Sequence, residues 1–165
     1  MRRTIISALI LLTTSGGGTP AAAQALQAPY PRVGPGGQPP PPPTIEMVQA
    51  DMVANSGSDL VYFAGSSHGL DAAAQATLTA QARWLRANPA VRTRIEGHAD
   101  ERNPRDYALA VGERRATAVR DFLVLQGVPA AQLTIISWGK ERPAVEGSSE
   151  KALALNRRVK IELMR

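Results

Sequence analysis

The sequence predicts an α/β domain, a two-layer sandwich with helices packed on one sheet. Three observations predict it. Two stretches alternate in the period of a half-exposed strand: Val91, Thr93, Ile95 and Gly97 with Arg92, Arg94 and Glu96, then Val159, Ile161 and Leu163 with Lys160 and Glu162. Two longer stretches repeat apolar residues at helical spacing, Ala74, Leu78, Ala82 and Leu85 in one, Leu109, Ala116, Val119 and Leu123 in the other. The elements run strand, helix, strand, helix, strand, short helix, strand, an order that suits helices laid on one sheet.

Taken from the N-terminus, Arg2 and Arg3 precede an apolar run from Ile5 to Leu12, and Ala23-Gln24-Ala25 has the small-x-small pattern of a signal-peptidase site. The run is about ten residues where a membrane-crossing helix needs ~20, so residues 1–25 are expected to be a cleaved export signal and the mature protein periplasmic. Cleavage removes Arg2 and Arg3 and no acid, taking the formal net charge from +5 to +3. Eight of the 13 prolines fall between Leu26 and Thr44, which excludes that stretch from a packed core. Pro39 to Pro43 is expected to be polyproline II, a semi-rigid spacer of ~3.1 Å per residue. Residues 26–57 are therefore assigned as linker and short arm. Ile45, Val48 and Met52 in that arm have helical spacing behind Thr44, a fitting N-cap.

The domain proper is expected over residues 58–165. Leu60 to Ala64 reads as a short buried strand, and Asp71 to Asn88 as a helix stopped by Asn88-Pro89. The strand ending at Gly97 is followed by a helix from Arg105 to Gln126, with Gly127 placed to terminate it. Leu133 to Trp138 is a third strand. Ser148 or Ser149 caps a helix to Leu155, with Glu150 in its first turn, before the closing strand. Some 108 residues suffice for one core, on the order of a typical domain.

The composition excludes several chemistries. Zero cysteines rule out disulfides, thiolate metal sites, a cysteine nucleophile and a lipid-bearing N-terminal cysteine. The two histidines, His68 and His98, do not share ligand spacing in one loop, so no metal and no cofactor is expected. A nucleic-acid partner is excluded by the mild charge, the missing base-reading motif and export. A periplasmic cell-wall hydrolase working through Asp100 and Glu101 is the competing enzyme reading. Neighbouring residues at a strand end point apart, and no G-x-S-x-G nucleophile motif is present, so the protein is read as no enzyme.

The densest polar stretch, Gly97-His98-Ala99-Asp100-Glu101-Arg102, directly follows a strand, a position where loops carry function. Arg115 lies about three turns into the next helix, ~15 Å of rise, and a helix packed back over the sheet returns it toward Asp100. An acid and an arginine facing one pocket suit a zwitterion, the carboxylate taking an ammonium and the guanidinium a carboxylate. The plainer alternative is a structural ion pair between strand end and helix. His98 is expected to orient the loop by hydrogen bonding, Arg114 to stay solvated, and Trp84 and Trp138 to cover core edges.

At this point the sequence resembles a known family. Ile95-Glu96-Gly97-His98-Ala99-Asp100-Glu101-Arg102, Asp106-Tyr107 and Gly112-Glu113-Arg114-Arg115-Ala116 match the signature of the OmpA C-terminal-like domains, specifically the peptidoglycan-associated lipoproteins. Ser137-Trp138-Gly139-Lys140-Glu141-Arg142-Pro143 and Asn156-Arg157-Arg158-Val159 extend the match, so that it covers nearly all of residues 58–165. The resemblance implies a βαβαβ core with an added short helix and closing strand. It also implies non-covalent binding of peptidoglycan stem peptides through diaminopimelate. Asp100 would then take the ammonium, Arg115 a carboxylate, and Arg157 a second cationic contact, with Arg158 able to exchange roles with Arg157. The resemblance further implies docking of the propeller protein TolB through Glu101, Arg102 and Tyr107. Three departures stand out: Ala64 and Ala108 replace the family's usual aspartate and asparagine, and the lipidated cysteine is missing. The first two point to weakened wall binding, hence to the alternative of a soluble periplasmic adaptor for a Tol-system or other envelope protein.

Overall fold

A computed structural model of the chain describes residues 41–164. The expected export signal, 1–25, and the proline-rich residues 26–40 lie outside the described residues. The chain divides into two units, Met1–Pro41 and Pro42–Arg165, and the account below concerns the second.

The elements are α1 (Ile45–Ser56), β1 (Leu60–Tyr62), α2 (Ala72–Ala87), β2 (Arg92–His98), α3 (Arg105–Leu125), β3 (Leu133–Gly139), α4 (Glu150–Asn156) and β4 (Arg158–Met164), with a 3-10 turn at Ala130–Gln132. Local chemistry sets their ends. The Asp71 carboxylate accepts the Ala74 N–H at 2.8 Å to start α2. The Ser149 hydroxyl accepts the Ala152 N–H at 3.2 Å to start α4. Such caps satisfy donors that a helix leaves open at its N-terminus. Beyond α3 the chain turns through Gly127 at φ +90°, a conformation glycine adopts without a Cβ clash.

The four strands form one mixed sheet in the order β1-β4-β2-β3. β4 runs antiparallel to both β1 and β2, while β2 and β3 are parallel. The closing strand therefore enters between the first two, an arrangement the linear element order does not disclose. Its alternation is satisfied there: Val159, Ile161 and Leu163 are buried with Ile95 of β2 and with Leu78, Leu85, Val119 and Leu123 of the helices. The opposite sheet face is charged. Arg94 pairs with Glu96 at 3.0 Å and also with Glu162, and Lys160 lies 3.4 Å from Glu162.

Two details differ from expectation. β1 stops at Tyr62 rather than Ala64, although the Phe63 N–H still donates to the Arg157 carbonyl at 2.8 Å. The arm at 44–56 is a helix integrated into the core. Met52 is fully buried, and the Trp84 indole donates to Asp51 at 2.7 Å. The Gln49 side chain pairs with the Ile161 carbonyl and the Leu163 N–H, both at 2.9 Å, so it covers the stretch of β4 that the short β1 leaves open.

Candidate functional site

The site begins with two glycines that bring α3 into contact with the sheet. A Cβ on Gly97 would stand 1.9 Å from the Gly112 carbonyl oxygen, and a Cβ on Gly112 would stand 2.4 Å from Ser137 Oγ. Both are closer than any side chain permits, so helix and strand meet backbone to backbone. Gly112 costs about 1 kcal/mol of helix propensity relative to alanine. In return it lays the next turn of α3, with Arg115, against the C-terminal end of β2.

Arg115 is 1% exposed. Its Nε donates to the Ser67 carbonyl at 2.9 Å, Nη1 to the His98 carbonyl at 2.9 Å and Nη2 to the Gly65 carbonyl at 2.5 Å. The guanidinium also lies 5.2 Å from the Phe63 ring centre. Three of five N–H donors thus hold the β1–α2 loop to the strand end, leaving one on each Nη. Burial pushes its pKa down to about 10 against the pull of Asp100, so it stays charged at neutral pH.

Asp100, 5% exposed, collects two other arginines. Arg102 reaches Oδ2 through Nη2 at 2.8 Å and Nε at 3.2 Å, and Arg157 reaches the same oxygen through Nη1 at 3.2 Å. Burial pushes the carboxyl pKa up, but the hydrogen bonds from Arg102 and Arg157 outweigh it, and the net shift is downward. Asp100 is therefore an anion. Arg157 also bonds the Phe63 carbonyl at 3.3 Å and Glu150 at 2.9 Å, while Arg102 lies 3.5 Å from Glu150.

Asp100, Arg102, Glu150 and Arg157 accordingly form a closed ring of alternating charge, and Arg115 is near enough to feel both Asp100 and Arg157. The structure thus brings together the three residues singled out as ligand-binding. It also adds Glu150, which the sequence marked only as a favourable charge in a first helical turn. Arg102 is half-exposed, and its guanidinium covers Asp100 from the solvent side.

Neighbouring loops brace the ring. Lys140 donates to the Asn103 carbonyl at 2.8 Å, and Asn156 binds the backbone of Ala144 and Val145 through three hydrogen bonds of 2.7 to 3.1 Å. A cavity of about 300 Å³ opens beside the ring, lined by Ala99, Glu101, Lys140, Val145 and Asn156 among others. A larger cavity, about 590 Å³, lies elsewhere, between α1 and β4, and holds none of these groups.

The remaining candidates divide clearly. Glu101, Arg102 and Tyr107 face solvent, Tyr107 being 45% exposed. Arg157 closes α4 while Arg158 opens β4, so they face different surroundings, and of the two it is Arg157 that bonds Asp100. Ala64 is exposed, whereas Ala108 is fully buried against Ala99 and Val111. Of the expected inward residues of α3, Leu109 is only half-buried, because Ala108 and Val111 take the contact. His98 ends β2, its carbonyl serves Arg115, and its buried ring bonds to the Arg142 backbone in the β3–α4 loop. Trp138 lies on the outer sheet face, its indole donating to Glu96 at 3.1 Å.

Fold and ring together define a small mixed α/β domain that carries a buried, ionised carboxylate at its strand ends. Among the described residues no helix is long and apolar enough to cross a membrane. The chain belongs to the OmpA family, whose model matches residues 62–157. It is 46% identical over 110 residues to the peptidoglycan-associated lipoprotein of Agrobacterium fabrum, covering 67% of this chain and 62% of that one. It is 46% identical over 101 residues to the Pseudomonas aeruginosa protein of the same name, covering 61% and 60%. The match spans about three fifths of the length of these relatives. The crystal structure of the peptidoglycan-associated lipoprotein from Burkholderia pseudomallei superposes with a TM-score of 0.64 at 38% identity, covering 66% of this chain and 92% of that one. The C-terminal domain of Helicobacter pylori MotB shares the fold, with a TM-score of 0.61 at 21% identity, covering 65% and 84%.

Proposed function

We propose that this domain binds peptidoglycan stem peptides without covalent chemistry, gripping diaminopimelate and contributing to cell-envelope integrity. The ammonium displaces Arg102 from Asp100, while Arg115 and Arg157 hold carboxylate oxygens. The observation that carries this reading is the ionised Asp100, buried yet covered by one half-exposed arginine. The names of the relatives and the motif match support the ligand class. In this reading residues 1–25 export the chain to the periplasm, residues 26–57 link it, and 58–165 bind the wall. Glu101, Arg102 and Tyr107 form the surface for a TolB-like propeller.

A second reading is a periplasmic adaptor with weak wall affinity. Ala64 and the buried Ala108 favour it, since neither supplies a polar contact to a ligand. Retention on purified sacculi separates the readings. Wall binding predicts retention that Asp100→Asn abolishes and Arg115→Lys weakens, with both variants verified as folded by circular dichroism. An adaptor is not retained by sacculi, and a hydrolase releases soluble muropeptides.

A further inference from the structure

The outer sheet face ends, beside β1 and the β3–α4 loop, in groups that the Asp100 ring does not use. Register sets Tyr62 opposite Arg158, and strand alternation brings His98 and Trp138 to the same face. Arg158 is 8% exposed and His98 2%. Arg158 donates through Nη2 to the Arg142 carbonyl at 3.3 Å, and the His98 ring bonds to the Arg142 backbone as well, but Arg158 Nη1 has no hydrogen-bond partner. Buried polar groups in native proteins are nearly always paired, so an orphaned, buried guanidinium nitrogen in a cationic cluster calls for a partner. Charge is unbalanced as well. Among the described residues neither Arg142 nor Arg158 has a carboxylate in ion-pair contact, and Glu96, which Arg158 feels, is shared with Arg94 and the Trp138 indole. The Arg142 guanidinium stacks 3.5 Å from the Trp138 ring centre, and Tyr62 is 46% exposed.

We propose that this end of the outer face docks an acidic segment of a partner protein, one of whose carboxylate side chains inserts among Arg142, Arg158 and His98. Arg158 Nη1 donates to the carboxylate, Arg142 pairs with it at the rim, and Tyr62 and Trp138 form flat walls. His98 stays neutral beside it, since burial, with Arg158 next, holds its pKa to about 4. A polypeptide is favoured over a free anion because tyrosine, tryptophan and arginine clustered around desolvated donors are the composition of protein interface centres. The exposed Arg142 side chain swings aside to admit the carboxylate, a rotamer change common on binding. The inference uses none of the residues assigned to diaminopimelate.

Titration of the ¹⁵N-labelled full chain with an acetylated tetraglutamate amide, followed by NMR, tests it. Saturable shifts are expected at the Trp138 indole and the Tyr62 and Arg142 amides, absent with the tetraglutamine counterpart and not reversed by free diaminopimelate. Arg142→Gln and Tyr62→Ala, both at exposed positions, should each weaken binding, Arg142→Gln by about tenfold. Shifts that do not saturate, that spread over every basic residue, or that persist undiminished in both variants would overturn the proposal. So would free glutamate binding as tightly as the peptide, which would make the site a small-anion pocket.

Discussion

Replacing Arg102 with glutamine tests whether the charge ring must open before a ligand ammonium can enter. In the free domain two N–H groups of Arg102 occupy Asp100 Oδ2, at 2.8 and 3.2 Å, so an incoming ammonium has to break both. The contact to Glu150 at 3.5 Å is long and adds little. The Arg102 side chain is 50% exposed, which puts this pair among solvent-screened ion pairs that add little to stability. The fork geometry and the buried carboxylate make it one of the firmer pairs of that kind. Arg102→Gln should therefore leave unfolding stability nearly unchanged and, by removing the competitor, tighten diaminopimelate binding about fivefold. Arg157 still holds Asp100 in the variant, so the pocket keeps its shape. Isothermal titration with a diaminopimelate-containing tripeptide, beside urea unfolding, reads both quantities. Unchanged or weakened affinity would refute the displacement, and a weakened one would make Arg102 a ligand contact.

Three further outcomes follow from the geometry. Asp100 has a depressed pKa in the fold, so its contribution is present above the unfolded carboxylate value of about 3.9 and is lost as pH falls through the folded value; Asp100→Asn should be less stable at pH 7 and lose less than the unsubstituted chain between pH 5 and pH 3 in urea midpoints. His98 works through the same sign by a different route, because the unfolded ring takes a proton near pH 6.5 while the folded ring, facing Arg142, Arg158 and Lys160, resists until about pH 4; stability should fall by up to about 1.4 kcal/mol per pH unit across that window, and His98→Phe should flatten it in thermal scans. Gly97→Ala drives a Cβ into the Gly112 carbonyl at 1.9 Å, with backbone on both sides and no side chain to yield. It should cost about 3 kcal/mol or more and displace Arg115, so a melting temperature near that of the unsubstituted chain would show that α3 can lift away freely.

How far such features could be read in advance varied with their range along the chain. The face of α2 that buries Ala74, Leu78, Ala82 and Leu85 was legible because helical periodicity is a local property, and so was the alternation of β4. Asp100 was legible from a polar stretch behind a strand, and the proximity of Arg115 from helix length. Glu150 was not, for although Arg157 is only seven residues on, its meeting with Arg102 depends on the placement of α4 against a distant loop. Nor could the sequence pattern reveal that backbone carbonyls of Gly65, Ser67 and His98 hold Arg115, because carbonyl directions leave no trace in side-chain type. His98 was legible in part: a histidine in a polar run suggested hydrogen bonding, while the burial that holds its pKa to about 4 came only with packing on the sheet face.

By itself, the sequence determined the kinds of element, nearly all of their limits, the apolar faces that must be covered, and the family signature. Those are consequences of steric preference and periodicity acting over a few residues. Only the tertiary structure decided that β4 lies between β1 and β2, that Arg157 rather than Arg158 reaches Asp100, and that Arg102 occupies the carboxylate in the free domain. Each of these is a contest between distant partners for one position. Its outcome rests on which buried charges are paired and which backbones approach closely, quantities that exist only once the chain has closed on itself.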